Sequence, residues 1–95
     1  MVKVSVIMPN FNNVRYISEA IDSVLNQTLE DIELIVIDDC STDDSFQVLQ
    51  EFANKDKRIR VIRNETNLGA GLSRNKGLDI AIRRIYKFFR CRRYI

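Results

Sequence analysis

Polar and apolar residues alternate through "KVSVIMP", with β-branched side chains prominent, so Lys3–Met8 is predicted as a strand that Pro9 stops. The turn-rich "NFNN" follows, and Asn12 or Asn13 is placed to cap a helix. Ile17, Ala20, Ile21, Val24 and Leu25 then recur at helical spacing, which predicts a helix over about 14–26. "IELIVI" is almost continuously apolar, the pattern of a strand buried on both faces of a parallel sheet. Ser41 is a candidate N-cap for a second helix, with Asp44 three positions on in a weak capping box. Phe46, Leu49, Phe52 and Ala53 share one face of that helix. "RIRVIR" predicts a third strand, Ile59–Arg63. "NETNLGAG" reads as a loop, and a third helix runs from about Leu72 to at least Ile82.

Strand and helix alternate three times. The expected fold class is α/β, a three-layer βαβαβα unit with a short, three-stranded parallel sheet of the Rossmann-like, nucleotide-binding kind. Ligands of such sheets lie beyond the carboxyl ends of the strands. Three loops gather there: "PNFNN", "DDCSTD" and "NETNLGAG".

Composition narrows the chemistry. The 95 residues, 45% hydrophobic and 29% charged, suit one small domain or part of a larger one. There is no histidine, which removes histidine bases, histidine metal ligands and Cys-His dyads together. The two cysteines, Cys40 and Cys91, have no metal-type spacing, and a reducing cytoplasm is the expected compartment. No apolar run approaches a membrane span, and the N-terminus lacks a signal-peptide layout. The net charge of +2 hides a split: "RRIYKFFRCRRYI", 83–95, holds six of the fifteen Lys and Arg and no acid. Residues 1–82 keep nine basic against thirteen acidic side chains, so the body is acidic and only the tail basic.

Asp38 and Asp39 end the second strand at the ligand edge. Successive strand side chains point to opposite faces, so one is expected to aim into a crevice while the other caps a turn or binds backbone amides. A carboxylate there can accept from a ribose hydroxyl or a base imide. The plainer reading is a pair of loop-capping acids. Asp43 and Asp44 read as helix-start acids favoured by the macrodipole. "GAGLSRNKG" matches neither G-x-G-x-x-G nor the Walker pattern and follows the third strand rather than the first, so Gly69 and Gly71 read as a flexible helix entry. Arg74, about one turn into that helix, is within reach of a phosphate, or is an ordinary surface arginine.

Taken together, "VSVIMPNFNN", "AIDSVLNQTLEDIELIVIDDCSTDDS" and "NLGAGLSRNKGL" resemble the start of the family 2 glycosyltransferases, which have a GT-A fold. The resemblance covers about residues 3–82. It rests on four motifs in order: P-x-aromatic-N, "SVLNQT", "IDDCSTD" and N-x-G-x-x-x-SRN-x-G. It implies transfer of a sugar, with inversion, from a nucleotide-diphosphate donor, often UDP-linked, to a glycan or other acceptor hydroxyl. It further implies that Pro9, Phe11 and Asn12 line the nucleotide pocket, that Asp39 contacts the base, that Asp38 supports it or the ribose, and that Arg74 lies near the base or diphosphate. Phe11 replaces the more usual tyrosine, and Cys40 stands where glycine is common.

The family's D-x-D, which binds Mg²⁺ or Mn²⁺, is expected shortly after the third helix, in a segment like "GEYIxFLDADD". The acid-free 83–95 stands there instead. No catalytic or metal-binding residue is therefore assigned, and no metal is expected to bind strongly to this chain. One allowed codon set for Arg83 onward, with its first base deleted, translates as G-E-Y-I-N-F-L-D-A-D-D-I. The expectation is accordingly a nucleotide-binding part over 1–82 followed by an out-of-frame tail over 83–95. The transferase reading expects no nucleic acid partner, a cytoplasmic location, at the membrane face in a full-length enzyme, and self-association through an exposed sheet edge or face. The alternative function is a small α/β binding module whose tail, with Ile85, Phe88 and Phe89 among basic residues, forms an amphipathic helix that docks on membrane or nucleic acid.

Overall fold

The structure is a computed structural model, in which residues 4–26, 31–81 and 86–88 are described. Its elements are β1 (Val4–Asn10), α1 (Ile17–Leu25), β2 (Ile32–Asp38), α2 (Ser45–Lys55), β3 (Ile59–Arg63), α3 (Ala70–Ile80) and β4 (Tyr86–Phe88). All strands are parallel, in the order β3-β2-β1-β4. Lys3 and Ile82, which the sequence assigns to a strand and a helix, lie outside the described residues.

Alternation along the strands sorts the layers. Val6 and Met8 of β1 and Leu34 and Val36 of β2 join Ile17, Ile21 and Val24 of α1 and Leu49 of α2 in one core cluster. Ile7 points the other way, against α3 at Gly77. Helices therefore cover both faces, and all seven residues of β2 are buried. Full burial of an Ile or Leu side chain is worth about 1.5–3 kcal/mol, so this doubly covered strand is a main source of stability. It also buries Glu33, whose charge is met by the Ser5 hydroxyl (2.7 Å) and by Arg60 Nη1 (3.2 Å). Among the described residues no helix is long and apolar enough to cross a membrane.

The structure departs from the sequence expectations at five places. First, β1 runs through Pro9 to Asn10, with Pro9 opposite Ile37. The Val4 amide donates to the Asp31 carbonyl and the Asn10 carbonyl accepts from the Asp39 amide, so even-numbered residues of β1 address β2. Pro9 is odd, and its missing N–H faces away from β2. The ladder loses nothing.

Second, α1 starts at Ile17 rather than about 14, and neither Asn12 nor Asn13 caps it by side chain. The Asn13 carbonyl receives the Tyr16 and Ile17 amides instead. Third, α2 starts after Asp44, not Ser41. The Ser41 hydroxyl donates to Asp38, a tertiary bond that local capping rules do not weigh. Fourth, α3 ends at Ile80, because Ala81 is extended (φ −65°, ψ 137°). Fifth, a fourth strand exists. Tyr86–Phe88 pairs with Ser5–Ile7 inside the segment that the binding-module alternative reads as helix.

Candidate functional site

Four segments meet at the carboxyl edge of the sheet: Asn10–Asn13 after β1, Asp38–Ser41 after β2, Asn64 after β3, and the Leu68–Gly69 entry to α3. The paired acids part there, as alternation requires. Asp38 faces the register partner Asn10, whose Nδ2 donates to Oδ1 at 2.9 Å. Its Oδ1 also accepts from the Ser41 hydroxyl (2.7 Å), and its Oδ2 accepts from the Ser41 amide (3.1 Å). Arg63 Nε stands 3.7 Å from Oδ2.

Asp39 turns toward α3. Its Oδ1 accepts from Asn64 Nδ2 (2.9 Å) and the Leu68 amide (2.7 Å), and its Oδ2 from the Gly69 amide (2.8 Å). Gly69 has φ 89°, a backbone only glycine adopts without strain, so the loop can bring two successive amides onto one carboxylate. Both acids are 0% exposed. Asp38 ties a turn and Asp39 binds backbone amides, so both carry structural bonds at the edge where the crevice acid was expected.

Of the other predicted residues, Asn12 is tied to the acids through Ser41. Pro9 is buried in β1 and Phe11 is half-buried, whereas Asn12 is exposed with a left-handed φ of 50°. The Asn12 amide donates to the Ser41 hydroxyl (3.0 Å), and its Oδ1 accepts from the Thr42 amide (2.8 Å). Asn12 and Asp38 thus share Ser41, which clasps the first loop to the second. Arg74 is exposed on the second turn of α3, and Leu72 on the first turn is 58% exposed.

An open groove of about 630 Å³ lies on the α2 side, lined by Cys40, Ser41, Thr42, Phe46 and Arg63 among others. It contains none of the six predicted residues. Arg63 spans it, its guanidinium 4.8 Å from the Phe46 ring centre and its Nη2 donating to the Ser41 carbonyl (3.1 Å). With Arg63 already engaged and Asp43 and Asp44 on its wall, the groove gives an anion little to bind.

Sequence reasoning missed Ser41 as the shared link and Asn64 altogether. Asn64 is 1% exposed and joins Asp39, Ser73 and Lys76. Its one legible signal is an asparagine directly after a predicted strand, ordinary turn chemistry.

Cys40 has φ 60°, the left-handed region, which costs an ordinary residue about 1–2 kcal/mol. That accounts for glycine being common there. Cys40→Gly should stabilise the fold by about 0.5–1 kcal/mol after the added unfolded-state entropy, read as a higher urea midpoint. A lower midpoint would mean that the Sγ contact to the Glu65 carbonyl (3.5 Å) outweighs the strain.

Burial pushes the Asp43 carboxyl up, but donation from the Ser45 side chain and amide and from the Val14 amide outweighs it, holding the group below 3.8. Asp56 is lowered chiefly by the Arg58 side-chain bond (2.8 Å), against burial. A depressed carboxylate stabilises the fold fully above its unfolded value and loses that contribution as pH falls through the folded one. Thermal stability should therefore fall as the pH drops below about 4, and an Asp43→Asn, Asp56→Asn double variant should fall less steeply there.

The resemblance implies Mg²⁺ or Mn²⁺. Among the described residues no three His, Cys, Asp or Glu gather where they could hold a metal ion, and Asp38, Asp39 and Asp43 are each committed to amides or hydroxyls. The donor set does not fit a divalent cation, and no step is derived through one.

Residues 5–88 match the family described as Glycosyl transferase family 2. The putative teichuronic acid biosynthesis glycosyltransferase TuaG of Bacillus subtilis is 44% identical over 85 residues, covering 90% of this chain and 34% of that protein. Glycosyltransferase GlyG of Streptococcus pneumoniae is 37% identical over 78 residues, covering 82% of this chain and 26% of that protein. The chain thus spans about a third or less of these relatives. S. aureus TarS 1–349 in complex with UDP superposes with TM-score 0.87 at 35% identity, over 95% of this chain and 27% of that one. A mannosyltransferase from Pyrobaculum calidifontis, solved with GDP-Man and Mn²⁺, superposes with TM-score 0.76 at 24% identity over 82% of this chain and 24% of that one, a likeness of fold alone.

Proposed function

This chain belongs to glycosyl transferase family 2, and from that premise we propose that it is the nucleotide-binding part of an inverting glycosyltransferase. The parent enzyme moves a sugar from a UDP-linked donor to a glycan or other acceptor hydroxyl. The observation that carries the reading is the likeness, over 95% of the chain, to a TarS structure that holds UDP. The candidate nucleoside site is the buried edge of Asp39, to which the resemblance adds Phe11, Asn12 and Arg74. A base reaching Asp39 must join or compete with the Leu68 and Gly69 amides, so those amides report on binding.

The test is a titration of the ¹⁵N-labelled chain with UDP to millimolar concentration. Amide shifts confined to the first loop, Asp39–Ser41 and Leu68–Arg74 are expected. An unchanged spectrum, or shifts gathered in the groove beside Phe46, would remove the site. The chain alone is proposed to transfer no sugar, since its described residues offer no metal-holding set. Turnover of a UDP-sugar by the purified chain would refute that.

The binding-module alternative is not favoured: Tyr86–Phe88 pairs with β1, and the family match runs to residue 88. The out-of-frame origin of 83–95 remains part of the proposal. In the shifted frame positions 86–88 read Ile-Asn-Phe, of which the isoleucine and phenylalanine favour a strand. Sequencing the gene across codon 83 decides it. An uninterrupted reading through "RRIYKFFRCRRYI" in the source would make the tail native. Self-association and a cytoplasmic location belong to the same proposal, and sedimentation of the chain at rising concentration checks the first.

A further inference from the structure

Asn64 is held at the end of β3 by its own amide, which donates to the Asp38 carbonyl at 2.8 Å. Its side-chain NH₂ has two hydrogens, and two acceptors take them: Asp39 Oδ1 at 2.9 Å and the Ser73 hydroxyl at 3.0 Å. At the opposite end of the same amide, Oδ1 accepts from Lys76 Nζ at 2.9 Å. A primary amide fits its pocket equally well when flipped, so shape alone does not choose its orientation. Charge does. The carboxylate at one end requires the NH₂, and the ammonium at the other requires the carbonyl oxygen. A flip would set oxygen against oxygen and NH₂ against ammonium.

We propose that Lys76 is a positioning residue for nucleotide recognition: its ammonium, acting through the Asn64 amide, fixes the Asp39 carboxylate that borders the nucleoside. This rests on the reading of Asp39 as part of the nucleotide site. The family motif N-x-G-x-x-x-SRN-x-G leaves the position of Lys76 open, so the role is a property of this chain's own residues. Lys76 is exposed, while Asn64 and Asp39 are buried. The polarised amide carries the influence of a solvated cation to an anion water does not reach. Without Lys76, the Asn64 amide keeps one orienting partner, and Asp39 Oδ1 loses one of its two donors, leaving the Leu68 amide, for part of the time.

The test uses the 95-residue chain with three variants and a double variant. Lys76→Met keeps the aliphatic stem and removes the charge, Lys76→Arg restores a donor, and Asn64→Ala removes the intermediary. Without ligand, Lys76→Met should move the Leu68 and Gly69 amide resonances, and Lys76→Arg should move them back toward the wild-type positions. With UDP as probe, Lys76→Met should weaken binding about fivefold to tenfold, and Lys76→Arg should bind within about twofold of wild type. Added to Asn64→Ala, Lys76→Met should have no further effect, since the path is already cut. Equal UDP affinity in Lys76→Met, failure of arginine to rescue, or independent effects of the two substitutions would each overturn the proposal. If the wild-type chain shows no UDP shifts, the nucleotide reading has failed, and with it the recognition role. The ligand-free Leu68 and Gly69 resonances then still decide whether Lys76 positions Asp39.

Discussion

Asp38→Ala should cost the fold about 3–5 kcal/mol, a large part of the roughly 5–15 kcal/mol that a domain of this size holds. The reason is what the carboxylate leaves behind. Asn10 Nδ2, the Ser41 amide and the Ser41 hydroxyl all donate to it, and all lie in a part of the molecule that water does not reach. A buried donor stripped of its acceptor costs about 1–3 kcal/mol, and Arg63 loses its nearby anion as well. The damage should spread to the first loop, because Ser41 also accepts the Asn12 amide. Urea unfolding measures the loss, and hydrogen exchange at Asn12 and Ser41 locates it. A cost below about 1 kcal/mol would mean that water or a rearranged Arg63 satisfies the donors.

Gly77 is the second position where a single atom decides. A Cβ there would stand 2.6 Å from the Cγ2 of Ile7. Ile7 is fully buried in the sheet and stiff at χ1, so its methyl has nowhere to move, and α3 must retreat instead. Alanine favours a helix over glycine by about 1 kcal/mol, which offsets part of the overlap. Gly77→Ala is expected to destabilise by about 1–3 kcal/mol, and Gly77→Leu by more. The overlap is with a β-branch, so Ile7→Leu, which lacks that methyl, should recover much of the loss in the Gly77→Ala background. Additive effects of the two substitutions would dismiss the contact as the cause. Ser73, one turn earlier, faces the sheet on the same side, so retreat of α3 also stretches its bond to Asn64. The Gly77 variants should weaken UDP binding along with stability.

The order of the first five elements was legible because each announces itself in a window of fewer than a dozen residues. Ile17, Ala20, Ile21 and Val24 form the buried stripe of α1, and the apolar run of β2 is buried on both faces. Boundaries were less legible, since Asn12 and Ser41 have local capping chemistry but are used in bonds spanning about thirty residues of chain. The fourth strand was hidden in a three-residue stretch among basic side chains. α3 carries little apolar periodicity, because the face it buries is made of Ser73 and Gly77. Of the site, the paired acids could be placed at the sheet edge from the sequence alone, and their opposite directions followed from strand alternation. The Lys76–Asn64–Asp39 chain could not. It joins three elements through polar contacts, and nothing in a linear pattern pairs an asparagine with an aspartate 25 positions away.

The order β3-β2-β1-β4 has a consequence for how the ligand edge divides. From β1 the chain steps outward twice on one side, to β2 and then β3, and then crosses over to the far side of β1. Loops on the two sides of β1 therefore diverge, and the sheet's topological switch point lies between the carboxyl ends of β1 and β4, where open α/β sheets hold their ligands. The crevice is thus bordered by two strands far apart in the chain, β1 and β4. A change of reading frame ahead of β4 would alter the second border without touching the first.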